Sequence, residues 1–167
     1  MAPHGGGNCM DEKQTILLVD DSEDDLLLMK HACQAAHFKP SVVTVNDGEA
    51  AMAYLNGDAP FADRERYPLP AVMLLDLNMP RVSGFDVLAW VRTVPGLKRI
   101  SIIVFSASTR TEDVERAFEM GANSYLVKPC SLAALIAMMC CLRDWLEYNH
   151  FPPLKEAPKP VEEVTAG

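Results

Sequence analysis

The chain has 167 residues, of which 49% are hydrophobic and 23% are charged, and its formal net charge is -8. This size and composition suit one compact domain of ordinary make-up, which excludes disorder for the bulk of the chain. Acidic residues outnumber basic ones by 23 to 15, and this excess disfavours a nucleic-acid binder or a protein held on an anionic membrane surface.

Strand and helix signals alternate along the chain. Residues 1–14 are predicted to form a flexible leader, and residues 149–167, rich in proline and glutamate, an extended tail. Apolar runs predict strands at 15–19, 41–45, 71–75, 100–105 and 124–127. Apolar residues at helical spacing predict helices at 22–36, 47–55, 85–94, 112–120 and 131–147. The folded domain is therefore expected to cover residues 15–148.

This alternation predicts an α/β fold, a doubly wound, five-stranded parallel sheet with five helices. The strands are apolar throughout, as in a sheet that helices cover on both faces. Repeated strand–helix units then give a parallel order. In such folds the functional residues lie beyond the carboxyl ends of the strands, so the side chains that follow each strand are the candidates for chemistry.

Five polar or charged side chains lie at those strand ends. Asp20 and Asp21 follow the first strand, and Asp76 follows the third. Ser106 follows the fourth strand, and Lys128 follows the fifth. Three carboxylates repel one another unless positive charge neutralises them, and Lys128 supplies one such charge. The remaining deficit suits a divalent cation with oxygen ligands, for which Mg²⁺ is the natural candidate.

A site of this composition also suits a phosphoryl group. A metal ion and Lys128 neutralise phosphoryl oxygens, and Ser106 donates a hydrogen bond. Asp76 is then the candidate nucleophile, which becomes an aspartyl phosphate. The acids at 23–25 are assigned instead to the first turn of a helix, because Ser22 and Asp25 form a capping-box pattern.

The order of the motifs resembles the receiver domain of two-component response regulators. The resemblance covers roughly residues 15–148 and is carried by LLVDD (17–21), LLDLNMPRVSG (74–84), VFSAS (104–108) and SYLVKP (124–129). It implies a flavodoxin-like (CheY-like) fold. It also implies that Asp76 is the phosphoacceptor, that Ser106 and Lys128 bind the phosphoryl group, and that Tyr125 is an aromatic switch. The bond between Lys128 and Pro129 is expected to be cis, as in that family.

The same resemblance implies the metal ligands and the output. Asp20 and Asp21 form the acid pair, and Mg²⁺ is held by Asp21, Asp76 and the backbone carbonyl of Asn78. A histidine kinase is the expected phosphodonor. The protein is expected to be a switch rather than an enzyme, and to signal through protein–protein contacts, because only a short segment follows the receiver.

Two segments resemble a narrower group, the single-domain regulators of phytochrome histidine kinases in cyanobacteria and other bacteria. One is the long loop at 56–70, in which Arg64 and its charged neighbours are predicted to form a solvated cluster. The other is the extended end, RDWLEYNHFPP (143–153). The five cysteines lack a CxxC or zinc-type spacing, which indicates a reducing compartment and hence a cytoplasmic location.

The last predicted helix has no charged residue from Ser131 to Leu142. One stripe is assigned to the core, and the outer face is also apolar, so it is expected to be covered. A homodimer through this helix is the favoured interpretation. The alternative is a tail folded back over the helix. The predicted core stripe is Leu132, Leu135, Ile136, Met139, Leu142 and Leu146.

Two other functions stay open at this point. One is a Mg²⁺-dependent phosphohydrolase that forms an aspartyl phosphate. Haloacid-dehalogenase-type enzymes place a second aspartate two residues after the nucleophile, whereas this chain has Asn78 there and lacks a cap domain. The other is a dimeric scaffold that ignores phosphate, against which the intact acidic pocket argues.

Overall fold

A computed structural model describes residues 14–152 and residue 154. This part of the chain forms five strands and five α-helices in alternation. The strands are β1 (Thr15–Val19), β2 (Ser41–Val45), β3 (Val72–Leu75), β4 (Ser101–Ser106) and β5 (Ser124–Val127). The helices are α1 (Glu23–Ala35), α2 (Gly48–Asn56), α3 (Gly84–Thr93), α4 (Thr111–Glu119) and α5 (Leu132–Tyr148).

The strands form one sheet in the order β2-β1-β3-β4-β5, and each neighbouring pair is parallel. The predicted fold is therefore confirmed, and each predicted element ends within one residue of its observed end. The order reverses between β1 and β3, because β2 lies on one side of β1 and β3 on the other. A crevice opens at such a switch point beyond the carboxyl ends of the strands.

Helices cover both faces of the sheet, and each face has its own core. Alternate residues of a strand point to opposite faces, so Leu17 and Leu75 enter the core that α2, α3 and α4 help to form. Leu18 and Leu74 enter the core that contains residues of α1 and α5. The whole of β3 is buried, which explains its apolar residues at successive positions, whereas the edge strands β2 and β5 are partly exposed.

Gly84 allows α3 to begin directly against the backbone of β3. A Cβ atom at this position would lie 2.1 Å from the carbonyl oxygen of Asp76, so no other residue fits there without a shift of the backbone. The Gly84 N–H donates to the carbonyl of Leu77 at 3.0 Å. A capping box between Ser83 and Asp86 starts the same helix. These contacts fix the position of the chain around Asp76.

Arg64 and three aromatic rings order the long loop between α2 and β3. The half-buried Arg64 donates to the carbonyls of Tyr54, Leu55 and Tyr67 at 2.8, 2.8 and 3.2 Å. The rings of Tyr54, Phe61 and Tyr67 pack at centroid distances of 5.2 to 6.0 Å. The prediction that Arg64 belongs to a solvated cluster is wrong, because its guanidinium satisfies carbonyls at the end of α2.

The inner face of α5 is narrower than the predicted stripe. Leu135, Met139, Leu142 and Leu146 are buried, whereas Leu132 is 41% exposed, so its assignment to the core is wrong. Leu132 is the first residue of the helix, where fewer neighbouring turns are present to cover it. Within the described ranges, no helix is both long and apolar enough to cross a membrane.

The chain that follows α5 packs back onto the domain in part. Phe151 contacts Trp145 with ring centroids 6.1 Å apart, and it lies against the core of α1 and α5. Leu154 lies against the core on the opposite face. Trp145 is still 45% exposed. The predicted leader up to residue 13, and residues 153 and 155–167 of the predicted tail, lie outside the described residues.

Candidate functional site

Three carboxylates meet at the crevice beyond β1 and β3. Asp20 and Asp76 are buried, and Asp21 is exposed. One carboxylate oxygen from each lies within 4.8 Å of the others. The backbone holds these residues in place, because the Asp76 N–H donates to the carbonyl of Val19 at 2.9 Å and the Asp20 N–H to that of Val45 at 3.3 Å.

Lys128, which follows β5, reaches into this group of carboxylates. Its Nζ lies 2.6 Å from Asp20 Oδ2, 2.8 Å from Asp25 Oδ2 and 3.7 Å from Asp76 Oδ1. Burial alone lowers the pKa of an ammonium group. Here the hydrogen bonds to Asp20 and Asp25 and the charge of Asp76 outweigh burial and raise the pKa of Lys128 to about 12. Lys128 is therefore cationic across the physiological range.

Asp25 is the site residue that the sequence interpretation missed. Its N–H donates to Ser22 Oγ at 3.2 Å, as a helix cap requires. The assignment of Asp25 to the first turn of α1 is confirmed. Its carboxylate, however, pairs with Lys128 at 2.8 Å, so the second half of the predicted capping box does not form. No pattern of neighbouring residues indicates this contact, because Lys128 follows β5 and is distant from Asp25 in the chain.

Burial dominates the electrostatics of Asp76. Loss of water raises the pKa of its carboxyl from 3.8 to about 6. Lys128 opposes that rise, Asp20 and Asp21 add to it by repulsion, and a hydrogen bond from the Leu77 N–H opposes it. The ionised form of Asp76 is thus disfavoured by burial, and a positive charge beside it stabilises that form.

Ser106 lies at the end of β4 and is fully buried. Its Oγ accepts a hydrogen bond from the Ser108 N–H at 3.2 Å and lies 3.5 Å from Asn78 Nδ2. Asn78, two residues after Asp76, is exposed. The predicted residues of the phosphoryl pocket therefore lie at one edge of the sheet, with a hydroxyl donor at its side.

Tyr125 is linked to Ser106 through Ser108, which forms hydrogen bonds with both residues. The half-buried ring packs against the core of α2, α3 and α4, and its hydroxyl donates to the carbonyl of Ser108 at 3.0 Å.

The prediction of a cis bond between Lys128 and Pro129 is wrong. Among the described residues the cis peptide bond is the one between Ala59 and Pro60. The peptide bond between Lys128 and Pro129 is trans, the form that X–Pro bonds prefer.

The donor set fits a hard divalent cation. Asp20, Asp21 and Asp76 offer carboxylate oxygens at close range, and oxygen is the donor that Mg²⁺ prefers. Their summed charge also exceeds the single positive charge of Lys128. These residues are therefore able to hold Mg²⁺, with further coordination from backbone and water.

Comparison with known proteins identifies the class. Residues 16–139 match the model of the response regulator receiver domain. The chain belongs to this family, and it is a receiver-type response regulator of two-component signalling.

The similar proteins include regulators of phytochromes. The response regulator Rcp1 of Synechocystis is 36% identical over 140 residues, which are 83% of this chain and 93% of that protein. The phosphorylated cyanobacterial phytochrome response regulator RcpA has 33% identity, a TM-score of 0.77, and coverage of 84% of this chain and 99% of its own. The regulator RPA3017, of red light signaling in R. palustris, has 32% identity, a TM-score of 0.78 and the same coverage. The predicted resemblance is confirmed.

Proposed function

We propose that the chain is a phosphorylation switch whose acceptor is Asp76. A histidine kinase transfers a phosphoryl group to this carboxylate, and the modified protein signals through protein–protein contacts. The observation that carries the proposal is the buried Asp76, with Lys128 Nζ at 3.7 Å and two further carboxylates beside it. A buried acid among groups that bind both a cation and an anion is suited to phosphoryl transfer.

In the transfer, a bond forms between a carboxylate oxygen of Asp76 and phosphorus. The phosphorus–nitrogen bond of the kinase phosphohistidine breaks, and its electron pair stays on the imidazole, which takes up a proton. Bound Mg²⁺ supplies neutralising charge to the phosphoryl oxygens. Asp20, Asp21, Asp76 and the backbone carbonyl of Asn78 are the proposed ligands. Lys128 pairs with a phosphoryl oxygen, and Ser106 donates a hydrogen bond to another.

The proposed partner is a histidine kinase of the phytochrome type. Its support is the similarity to the phytochrome response regulators RcpA and RPA3017 over 84% of this chain. We also propose a cytoplasmic location, where kinase and ATP are present. The described cysteines are all free thiols, as expected in a reducing compartment.

Incubation with acetyl phosphate and Mg²⁺ is expected to add one phosphoryl group, because one acceptor carboxylate lies in the pocket. Intact-mass spectrometry measures the mass that one phosphoryl group adds. Asp76→Asn is expected to abolish it. Asp21→Ala is expected to weaken Mg²⁺ dependence strongly, whereas Asp24→Ala, on the exposed first turn of α1, leaves it unchanged.

If Asp76→Asn takes up as much phosphoryl group as the parent, Asp76 is not the acceptor. Turnover of generic phosphomonoesters at steady state would support a phosphohydrolase instead. If the parent protein takes up no phosphoryl group from acetyl phosphate or from any histidine kinase, the result would favour the scaffold that ignores phosphate.

We further propose a homodimer through α5. Its outward face is largely apolar, with Leu132 and Trp145 41% and 45% exposed, and Ala137 and Cys141 are exposed one turn apart. Burial of such surface stabilises by about 25 cal/mol per Å². An isologous two-fold interface is the simplest closed arrangement.

Charges at the centre of this face are expected to separate the dimer. Sedimentation of the parent should show a dimer at tens of micromolar, and Ala137→Glu with Cys141→Glu should show a folded monomer, because two carboxylates per subunit would be desolvated. Ala89→Glu, an exposed alanine of α3, is the matched control and should remain dimeric. A monomeric parent contradicts the proposal.

A further inference from the structure

Ser108 forms hydrogen bonds that join three elements. It lies in the short connection between β4 and α4. Its N–H donates to Ser106 Oγ at 3.2 Å, and its carbonyl oxygen accepts from the Tyr125 hydroxyl at 3.0 Å. Its own hydroxyl donates to Asp113 Oδ2, in the first turn of α4, at 2.5 Å. One residue thus connects the end of β4, the ring on β5 and the start of α4.

The described contacts of α4 with the domain are otherwise sparse. Ala117 is the one residue of this helix that is buried, and Phe118 is 49% exposed. The N-cap residue, Arg110, makes no side-chain capping hydrogen bond. The guanidinium of Arg116 lies 4.1 Å from the centre of the Phe85 ring and attaches the middle of the helix to α3. The hydrogen bond from the Ser108 hydroxyl to Asp113 therefore joins the first turn of α4 to the β4–α4 connection, beside a longer contact from the Arg110 N–H to Ser108 Oγ at 3.4 Å.

We propose that Asp113 is a positioning residue that makes α4 and Tyr125 move as one unit. The inference rests on the proposed function, in which the phosphoryl group on Asp76 attracts the Ser106 hydroxyl. Movement of the connection toward Asp76 displaces Ser108. The Ser108 carbonyl then carries the Tyr125 hydroxyl, and the Ser108 hydroxyl carries Asp113 and the first turn of α4.

A purely structural role for Asp113 predicts something different. An acid in the first turn stabilises a helix through its dipole, whatever its partner. Glu112 offers the matched comparison, because it lies in the same turn but is exposed and faces Arg110 at 3.6 Å. If only the dipole matters, removing either acid has a similar effect on α4 and none on Tyr125.

The test uses the full chain labelled with 3-fluorotyrosine, and fluorine NMR before any phosphodonor is added. Tyr125→Phe assigns the Tyr125 resonance. Asp113→Ala and Ser108→Ala are expected to shift this resonance and to speed amide exchange in the first turn of α4 about three- to tenfold, as expected for loss of one hydrogen bond. Asp113→Asn keeps an oxygen acceptor and should resemble the parent. Glu112→Ala should leave the Tyr125 resonance in place.

A Tyr125 resonance that stays at the parent position in Asp113→Ala overturns the proposal, even if amide exchange in α4 becomes faster. A shift in only one of Asp113→Ala and Ser108→Ala overturns it as well, because each removes one partner of the same bond. Intact mass after addition of acetyl phosphate and Mg²⁺ reports labelling of Asp76 on the same samples. Failure of the proposed function is therefore seen separately from failure of this coupling.

Discussion

Lys128→Met is expected to lower the free energy of unfolding by about 3 kcal/mol at pH 7.5 without divalent cations. Lys128 Nζ contacts Asp20 at 2.6 Å and Asp25 at 2.8 Å, and the Asp20 side chain is only 1% exposed. Methionine has a similar length and no charge, so the variant leaves a buried carboxylate without a counterion. Removing one partner of a buried ion pair costs roughly 3–5 kcal/mol. The partly exposed Asp25 places the expected loss at the lower end.

Urea denaturation of the parent and of the variant measures this loss. Lys39→Met is the matched control, because Lys39 pairs with Glu147 at 3.3 Å while its side chain is 60% exposed. That variant is expected to change stability by at most about 0.5 kcal/mol. Mg²⁺ should stabilise Lys128→Met more than the parent, because the cation binds the carboxylates that the lysine left. Equal losses in the two variants would show that Lys128 has no structural role in the pocket.

Asp76→Asn is expected to stabilise the metal-free protein by about 1–2 kcal/mol at pH 7.5. Burial raises the pKa of the Asp76 carboxyl to about 6 in the folded state, against 3.8 for a free side chain. The ionised form is therefore disfavoured by folding, and an uncharged amide of the same shape removes that penalty. A shift of this size corresponds to at most about 3 kcal/mol.

The stability difference between Asp76→Asn and the parent is expected to decrease as the pH falls. Well above pH 6 the Asp76 carboxylate is ionised in both the folded and the unfolded chain, so the gain from Asp76→Asn is complete there. Between pH 6 and 3.8 the folded parent binds a proton that the unfolded chain does not. The parent therefore gains stability relative to the variant as the pH falls, and the two converge near pH 4.

Denaturation in EDTA across this range checks the prediction. Asp24→Asn, on the exposed first turn of α1, makes the same charge change and should show no comparable gain. Addition of Mg²⁺ should stabilise the parent and have little effect on Asp76→Asn, which lacks one of the proposed ligands. A variant less stable than the parent at pH 7.5 would mean that the ion pair with Lys128 outweighs the burial of Asp76.

The local pattern of the sequence determined the fold and most of the candidate site. Continuous apolar runs require a sheet that is covered on both faces, and alternation with helices requires parallel strands. Parallel strands bring their carboxyl ends to one edge. Residues directly after those ends, such as Asp20, Asp76 and Lys128, therefore meet even though they are far apart in the chain. The position of these residues along the chain was sufficient to predict the site, because the site lies at the carboxyl ends of the strands.

Only the tertiary structure decided contacts that depend on how far a side chain reaches across elements. The carboxylate of Asp25 is free to cap its own helix, and the approach of Lys128 from β5 draws it into the pocket instead. Arg64 has the composition of a solvated loop residue, and the folding back of the loop brings it to the carbonyls that end α2. Such partners come from other elements of the fold, so their choice depends on packing, which no local pattern of residues encodes.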